Sequence, residues 1–332
     1  MSCALQININ DSDWILTIQL QDTYCKYLHN VLTREPDTKE EKLIHKEYVL
    51  KKGRLYRVTP LGHRWVVPKT ARREVVMQNH DFNGHFGRDK TLETIQKSYW
   101  FPTMKKYVKN YISCCLPCSY NKKPTEKLEG YLHPIEKGNT PMDTLHVDHL
   151  GPFVKSKRGN THLITAIDGF TKFIFMKPVT STKTGPAIHF LRGIIETFGV
   201  PRRLVCDRGS CFTSKKFTEF CTTHGMKVVL NATATPRANG QMERYNRTII
   251  SSVACSTDEE SCWDKTISQI QFGLNNTINR TTGKSPYELL LGYRPKGWSD
   301  AYLLNDLDLK ENVSDLASVR RQAAEQTAQH QD

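Results

Sequence analysis

The sequence lacks the features of membrane-spanning and secreted proteins. No run of 18 apolar residues occurs in the 332-residue chain, so no membrane-spanning helix is expected. The first residues include acidic side chains and no apolar signal core, which argues against secretion. Ten cysteines are too few for a disulfide scaffold in a chain of this length. We therefore expect a reduced, intracellular protein in which paired cysteines bind metal.

The chain has an excess of positive charge. Its 47 Lys and Arg residues outnumber 34 Asp and Glu residues, which gives a formal net charge of +13. A protein with this surplus usually binds a polyanion, and the alternative is a surface that is merely basic. Hydrophobic residues make up 38% of the chain, enough for two or three domains.

The pattern of residues changes several times along the first 140 positions. ILTIQLQDTYCKYLHNVL predicts one short amphipathic helix, and TREPDTKEE predicts an exposed linker. Two short strands are predicted next, with turns at Lys52-Gly53 and at 60–62. Residues 70–113 have helical patterns that are broken at Phe101-Pro102. A Lys-, Pro- and Gly-rich stretch without periodicity then predicts a domain linker.

From residue 141 onward the pattern is that of an α/β domain. Three strands are followed by a helix, a strand, a helix and a strand, and a long helix is predicted from about Ala238 to Cys255. This order predicts a central sheet covered by helices. The predicted divisions are an N-terminal segment and linker (1–46), a small β extension (47–72), a small helical domain (73–124), a linker (125–140), an α/β core (141–300) and a polar C-terminal tail (301–332).

Two pairs of potential metal ligands stand in the helical region before the linker. Four residues lie between His80 and His85, and 29 residues lie between His85 and a C-x-x-C pair, Cys115 and Cys118. Imidazole and thiolate are the ligands of a closed, four-coordinate structural zinc site. Cys114 is an alternative to Cys115, with a C-x₃-C spacing. The pattern predicts one zinc ion that holds together a segment too short to build its own core.

Three acidic residues of the α/β domain are candidates for a second metal site. Asp148 and Asp207 lie at the ends of apolar strands, and Glu243, with 35 residues between it and Asp207, lies near the start of a helix. Carboxylates that converge repel one another unless a divalent cation neutralises them, and oxygen ligands suit Mg²⁺ or Mn²⁺. Two such ions can stabilise the attacking and leaving oxygens of a phosphoryl transfer. Solvated strand ends are the alternative interpretation of Asp148 and Asp207. Asp168 also follows an apolar strand, and we interpret it as a turn residue.

The motifs H-x₄-H…C-x-x-C and D…D-x₃₅-E resemble those of retroviral and LTR-retrotransposon integrases. Further sequence blocks are similar to the gypsy type of that family, and the resemblance covers about residues 47–300. These blocks are NGHFGRDKT, YWFPTM, CLPCSYNK, HVDHLGP, FGVPRRLVCDRGSCFTS, ANGQMERYNR and SPYELLLGYRP.

The resemblance implies an RNase H-like core, a mixed five-stranded sheet with helices on both faces, preceded by a small helical zinc-binding domain. It implies that Asp148, Asp207 and Glu243 hold two Mg²⁺ or Mn²⁺ ions and catalyse 3′-end processing and then strand transfer into target DNA. Such an enzyme is a polynucleotidyl transferase and nuclease that needs no Ser or Tyr nucleophile. The implied partners are double-stranded DNA and further copies of the chain, and the implied location is the nucleus.

Residues around the predicted site are candidates for DNA contact. Asn239, Gly240 and Gln241 resemble the family's flexible active-site loop, and Ser210 matches a position that approaches target DNA. Arg247 lies one turn after Glu243 and shares its helix face, with a solvated face as the alternative. Lysines in and after the zinc-binding segment form a basic stripe suited to phosphate. The complete set of expected DNA-binding residues is Ser210, Asn239, Gly240, Gln241, Arg244, Arg247, Lys105, Lys106, Lys109 and Lys122.

One competing function and one departure from the family stand beside this interpretation. The competing function is a DNA-binding host protein, derived from an integrase or truncated, that has no catalytic activity. Members of the family usually continue into a small β-barrel, whereas this sequence stops at Asp332 before such strands. A polyprotein fragment, a truncated gene and a host-adopted gene would each give this pattern.

Overall fold

The computed structural model describes 11–60, 62–121, 140–230, 236–257, 259–295 and 315–329, with the backbone alone at 11–13, 236–241, 243 and 328–329. The described residues form two compact units. The first unit contains those of Met1–Phe82 and Phe86–Cys114, and the second contains those of Asn83–His85, Cys115–Pro295 and Val313–Asp332.

The first unit begins with three helices, α1 (Asp11–Gln21), α2 (Thr23–Leu32) and α3 (Lys39–Glu47). The prediction of one helix here was wrong because Asp22 caps α2, accepting hydrogen bonds from the Tyr24 and Cys25 amides and ending α1. The predicted linker was also wrong at its end, because Thr38 and Glu41 form a capping box that starts α3.

A four-stranded sheet follows, in the order β1-β2-β3-β4. Its strands are β1 (Tyr48–Lys51), β2 (Arg54–Thr59), β3 (Gly62–Val66) and β4 (Tyr99–Trp100). Three strands thus stand where two were predicted, because the turn at Lys52-Gly53 divides the first run. The buried Gln19 side chain of α1 bonds to the backbone of Leu55 and Val66, which fixes that helix on the sheet.

The helical pattern predicted for residues 70–113 is confirmed as three helices interrupted by β4. They are α4 (Arg72–His80), α5 (Arg88–Gln96) and α6 (Met104–Ser113). Their apolar faces share one core with α1 and the sheet, which includes Val76, Ile95 and Val108, all at 0% exposure.

The second unit contains a mixed five-stranded sheet in the order β7-β6-β5-β8-β9. The strands are β5 (Thr144–Leu150), β6 (His162–Asp168), β7 (Ile174–Val179), β8 (Arg203–Cys206) and β9 (Lys227–Leu230). β5, β6 and β7 pair antiparallel, whereas β8 and β9 run parallel to β5. The mixed five-stranded sheet that the resemblance implied is confirmed, and so is the predicted succession of strands and helices along the chain.

Eight helices accompany this sheet in the described part of the second unit. They are α7 (Leu116–Asn121), α8 (Thr184–Phe198), α9 (Ser210–Thr213), α10 (Lys215–Thr223), α11 (Pro236–Ser256), α12 (Ile267–Asn276), α13 (Pro286–Leu291) and α14 (Leu316–Gln329). Leu145 and Val147 of β5 face a core that α8 and α10 complete. Because side chains alternate along a strand, Asp148 projects from the opposite face, where α11 lies.

The edge strand β7 is covered by a side chain of α12. Asn275 accepts from the Ile174 amide and donates to the Ile174 carbonyl, both at 2.8 Å, so its amide group takes the place of a neighbouring strand. Among the helices of the described residues, none is both long and apolar enough to cross a membrane.

Candidate functional site

Two carboxylates lie at the ends of neighbouring parallel strands. Asp148 belongs to β5, Asp207 directly follows β8, and Val147 stands opposite Cys206 in the register of this pair. Adjacent strands are about 4.8 Å apart. The sheet therefore brings Asp148 and Asp207 to the same edge although 58 residues separate them in the chain.

The half-buried Asp148 carboxylate is held in place by two hydrogen bonds. Its Oδ2 atom accepts from Nδ2 of Asn246 at 2.7 Å, and its Oδ1 atom accepts from the His149 amide at 2.8 Å. Burial raises the pKa of Asp148, these two bonds lower it, and the nearby Asp207 charge raises it, with a net increase. A cation at this edge would reverse the effect by stabilising the ionised carboxylate.

The exposed Asp207 carboxylate is oriented by the turn after β8. The Gly209 amide donates to Oδ1 of Asp207 at 2.9 Å, and a Cβ atom at Gly209 would stand 3.0 Å from that oxygen. Glycine is therefore favoured here because it lets the backbone approach the carboxylate closely.

Helix α11 connects the third predicted carboxylate to this edge. Glu243 lies on α11 one helical turn before Asn246, the residue that donates to Asp148. The side chain of Glu243 lies outside the described residues. Asn246 was not among the site residues predicted from the sequence, because nothing in its local sequence indicates a hydrogen bond to Asp148.

The donor set at this edge suits a divalent cation with oxygen ligands. Asp148 and Asp207 supply carboxylates, and Oδ1 of Asn246 is buried with no hydrogen-bond partner among the described residues. Hard oxygen donors of this kind favour Mg²⁺ or Mn²⁺ over zinc.

The four predicted zinc ligands are brought together. One ligand atom from each of His80, His85, Cys115 and Cys118 lies within 4.8 Å of the others. Nδ1 of His85 is 3.4 Å from Sγ of Cys115 and 3.6 Å from Sγ of Cys118. Ligands of a tetrahedral zinc ion are separated by about 3.4–3.8 Å, given bond lengths near 2.0–2.3 Å. The residues present therefore fit zinc.

Local backbone geometry explains how this cluster forms. Gly84 and His85 both have left-handed backbone conformations, with φ of 84° and 52°, and they turn the chain after α4. Cys115 directly precedes α7 and Cys118 lies in its first turn, whereas the exposed Cys114 caps the C-terminal end of α6 and is not part of the cluster.

The residues expected to contact DNA occupy several positions. Ser210 is the exposed first residue of α9, and Arg244 and Arg247 are exposed on α11. Lys105, Lys106 and Lys109 are exposed on α6, opposite its buried Met104 and Val108. Lys122 lies outside the described residues.

The expected active-site loop is instead helical. Asn239, Gly240 and Gln241 lie in the first two turns of α11, so the loop prediction was wrong for the backbone. The physical reason is Pro236, whose fixed φ and missing N–H favour the first position of a helix.

Asp168 has a structural environment, in keeping with its interpretation as a turn residue. Its fully buried carboxylate accepts hydrogen bonds from the Met142 amide and from both the amide and the hydroxyl of Thr171. The two bonds from Thr171 close the turn between β6 and β7, and the bond from Met142 ties this turn to the segment before β5.

Comparisons with known proteins match two successive domains. Residues 67–124 match the integrase zinc binding domain, and residues 138–236 match the integrase core domain. The first match contains the His and Cys cluster, and the second contains Asp148 and Asp207.

Three curated polyproteins are similar to most of the chain. The Pro-Pol polyprotein of simian foamy virus type 3 is 27% identical over 83% of the chain, and that of feline foamy virus is 29% identical over 70%. The transposon Tf2-3 polyprotein of Schizosaccharomyces pombe is 26% identical over 87%. The chain spans only 24%, 20% and 22% of these three polyproteins, respectively.

Two solved structures are similar to the chain at lower sequence identity. A simian T-cell lymphotropic virus intasome in complex with PP2A regulatory subunit B56 gamma is 16% identical with a TM-score of 0.45, covering 67% of this chain and 74% of that one. The catalytic core domain of BIV integrase is 18% identical with a TM-score of 0.38, covering 46% and 95%. The chain thus contains a segment that matches an integrase zinc binding domain, followed by a segment that matches an integrase core domain, and it is similar to retroviral and retrotransposon polyproteins.

Proposed function

We propose that the chain is a DDE-type polynucleotidyl transferase that processes the 3′ ends of retroelement DNA and joins them to target DNA. The observation that carries this proposal is the arrangement of Asp148 and Asp207 at adjacent parallel strand ends, with the Glu243 helix tied to the same edge through Asn246. The match to an integrase core domain supports the same chemistry.

Asp148, Asp207 and Glu243 would hold two divalent ions, Mg²⁺ or Mn²⁺, and Asn246 would keep Asp148 in position. When bound, such an ion pair stabilises charge on the attacking and leaving oxygens of a phosphoryl transfer. The role of the chain is to fix the three carboxylates on rigid strands and a helix, so that little reorganisation is needed during reaction.

The two reactions share this one site. In the first, water forms a bond to a phosphorus atom near the 3′ end, and the bond to the departing 3′ oxygen breaks. In the second, the new 3′-hydroxyl attacks a target phosphodiester, and the bond to a target 3′ oxygen breaks. One phosphodiester is made for each one broken during joining, so no external energy source is needed.

The partner is double-stranded DNA, both the element's ends and the target. The net charge of +13 and the exposed Lys105, Lys106 and Lys109 on α6 support binding to phosphates. Two ends must be joined to one target, so the chain would act as a homo-oligomer on DNA, and it would do so in the nucleus. The His80, His85, Cys115 and Cys118 cluster would hold one structural zinc ion.

The test is a joining assay with purified protein and a labelled short duplex that matches the end of the element. Wild type and Glu243→Gln are compared in Mg²⁺, in Mn²⁺ and in EDTA. The proposal predicts shortened and joined strands from wild type in either metal ion, and a loss of at least about 10³-fold in the variant or in EDTA.

The controls separate loss of chemistry from loss of DNA or of fold. Both proteins should bind DNA equally and contain equal amounts of zinc. If neither joins DNA in any metal ion while both retain zinc and DNA, the chain is a DNA-binding relic of an integrase, and the catalytic proposal fails.

A further inference from the structure

A buried hydroxyl contacts one histidine of the zinc cluster and the backbone of the residue that follows the other. Thr91 of α5 is 1% exposed, and its Oγ1 atom lies 3.3 Å from Nδ1 of His80, which is itself 0% exposed. The same Oγ1 atom donates to the carbonyl of Phe86 at 3.1 Å, and Phe86 directly follows His85 in the chain.

These two hydrogen bonds can coexist only if the Thr91 hydroxyl donates one of them and accepts the other. A carbonyl oxygen can only accept, so the single hydroxyl proton of Thr91 is committed to Phe86. The hydroxyl oxygen must then accept from His80, which places the imidazole proton on Nδ1. In a neutral imidazole the lone pair available to a metal is then on Nε2.

The two histidines therefore present different nitrogens to the cluster. His85 directs Nδ1 at the Cys115 and Cys118 thiols, at 3.4 and 3.6 Å, whereas the hydroxyl contact at Nδ1 of His80 leaves that residue to ligate through Nε2. A ring that rotated or took the other tautomer would place an N–H where zinc needs a lone pair.

We propose that Thr91 is a positioning residue of the zinc site, which fixes the orientation and tautomer of His80 and anchors the turn that carries His85. Hydrogen bonds from metal-bound histidines to outer groups commonly set ligand orientation, and their removal costs about 10- to 100-fold in metal affinity. This role rests on the proposed zinc site and does not depend on the proposed DNA chemistry.

Helix α5 offers a matched control for the test. Thr94 lies one turn after Thr91, and its hydroxyl bonds to the Lys90 carbonyl of the same helix. Thr91→Val and Thr94→Val remove the same hydroxyl group. In Thr91 that hydroxyl contacts a histidine, whereas in Thr94 it bonds only within its own helix. Thr91→Ser retains the hydroxyl and should restore what Thr91→Val loses.

The first measurement is zinc affinity of the full chain by competition with a chromophoric chelator. Thr91→Val should bind zinc about 10- to 100-fold more weakly than wild type. Thr91→Ser and Thr94→Val should remain close to wild type. Equal affinities of Thr91→Val and wild type would overturn the role of Thr91. A wild-type chain that binds no zinc, or that binds it equally after Cys118→Ser, would overturn the zinc site and this inference with it.

A second measurement needs no variant that could fail to fold. In zinc-loaded wild type with ¹⁵N-labelled histidine, His80 should show a protonated Nδ1 and a metal-bound Nε2, and His85 should show a metal-bound Nδ1. Zinc on Nδ1 of His80 would contradict the inference, whatever the affinities of the variants.

Discussion

At the scale of single residues, the Asn246 side chain is the direct link between helix α11 and the Asp148 carboxylate. A hydrogen bond to a charged group contributes about 1.5–3 kcal/mol. We therefore expect Asn246→Ala to lower the rate of DNA joining by about 10- to 100-fold, since about 1.4 kcal/mol corresponds to tenfold in rate.

The matched control for Asn246 is Thr248→Ala. Thr248 lies on the same helix, and its hydroxyl bonds to the Arg244 carbonyl of that helix. This variant should join DNA at the wild-type rate. Unchanged joining by Asn246→Ala, with folding and zinc content also unchanged, would show that the bond to Asp148 has no part in positioning it.

Asp22 gives a prediction about stability and pH. Burial raises its pKa, but hydrogen bonds from the amides of Lys69, Cys25 and Tyr24 outweigh this, so that the folded-state pKa is lowered. A lowered pKa means that the stabilisation is present above the unfolded-state value, about 3.9, and is lost as pH falls through the folded-state value.

The corresponding experiment is urea unfolding of wild type and Asp22→Asn. At pH 7 the variant should be less stable by about 1–3 kcal/mol, because an amide cannot accept at both of its terminal atoms. The difference should shrink as pH is lowered from 5 to 3. The exposed Asp37→Asn is the control, and a difference for Asp22→Asn that grows towards acid would contradict the assignment.

Residue spacing in the sequence predicted the zinc ligands and the two strand-end carboxylates because these groups recur at fixed intervals beside recognisable strands and helices. Asn246 and Thr91 could not be found in this way. Their roles arise from contacts with Asp148 and His80, which lie 98 and 11 residues away. An Asn or a Thr within a helix has no local pattern that reveals such a partner.

At the scale of elements, we expect the proposed zinc ion to stabilise the short helix α7. This helix has six residues, one of them the cluster residue Cys118, and Cys115 directly precedes it; helices of this length are unstable alone. Removing zinc should therefore raise amide hydrogen exchange in α7 and in the turn at Gly84 and His85 at least about tenfold. Strands β5 and β6 should be little affected.

Substitutions of two neighbouring cysteines test the same point without a chelator. Cys115→Ser should reproduce the effect of zinc removal, whereas Cys114→Ser should not, because Cys114 is exposed and outside the cluster. Equal exchange rates in the two variants would mean that Cys115 is not a ligand.

The elements that the sequence did not predict are those that side-chain caps define. Apolar alternation revealed the strands of the five-stranded sheet, and periodicity revealed its helices. The break at Asp22 and the start of α3 at Thr38 depend instead on hydrogen bonds from single polar side chains, which a pattern of apolar residues does not report. Helix α11 begins earlier than the resemblance implied, because Pro236 favours the first position of a helix.

At the scale of the whole molecule, the candidate catalytic site is a product of sheet topology. Asp148 and Asp207 come together only because β8 runs parallel to β5 and beside it, an arrangement that requires the crossover through β6, β7 and α8. The order of elements in the sequence predicted an α/β core and the family resemblance implied a mixed five-stranded sheet, but neither predicted that β5 pairs with β8.

The most direct test of this account is to locate metal ions in crystals of the full chain grown with Mn²⁺, using anomalous X-ray scattering. The account predicts two peaks about 3.5–4 Å apart, bound by Asp148, Asp207 and Glu243, and loss of both in Asp148→Asn. Crystals in which Mn²⁺ is absent from this sheet edge, or binds equally well in Asp148→Asn, would contradict the proposed two-metal site.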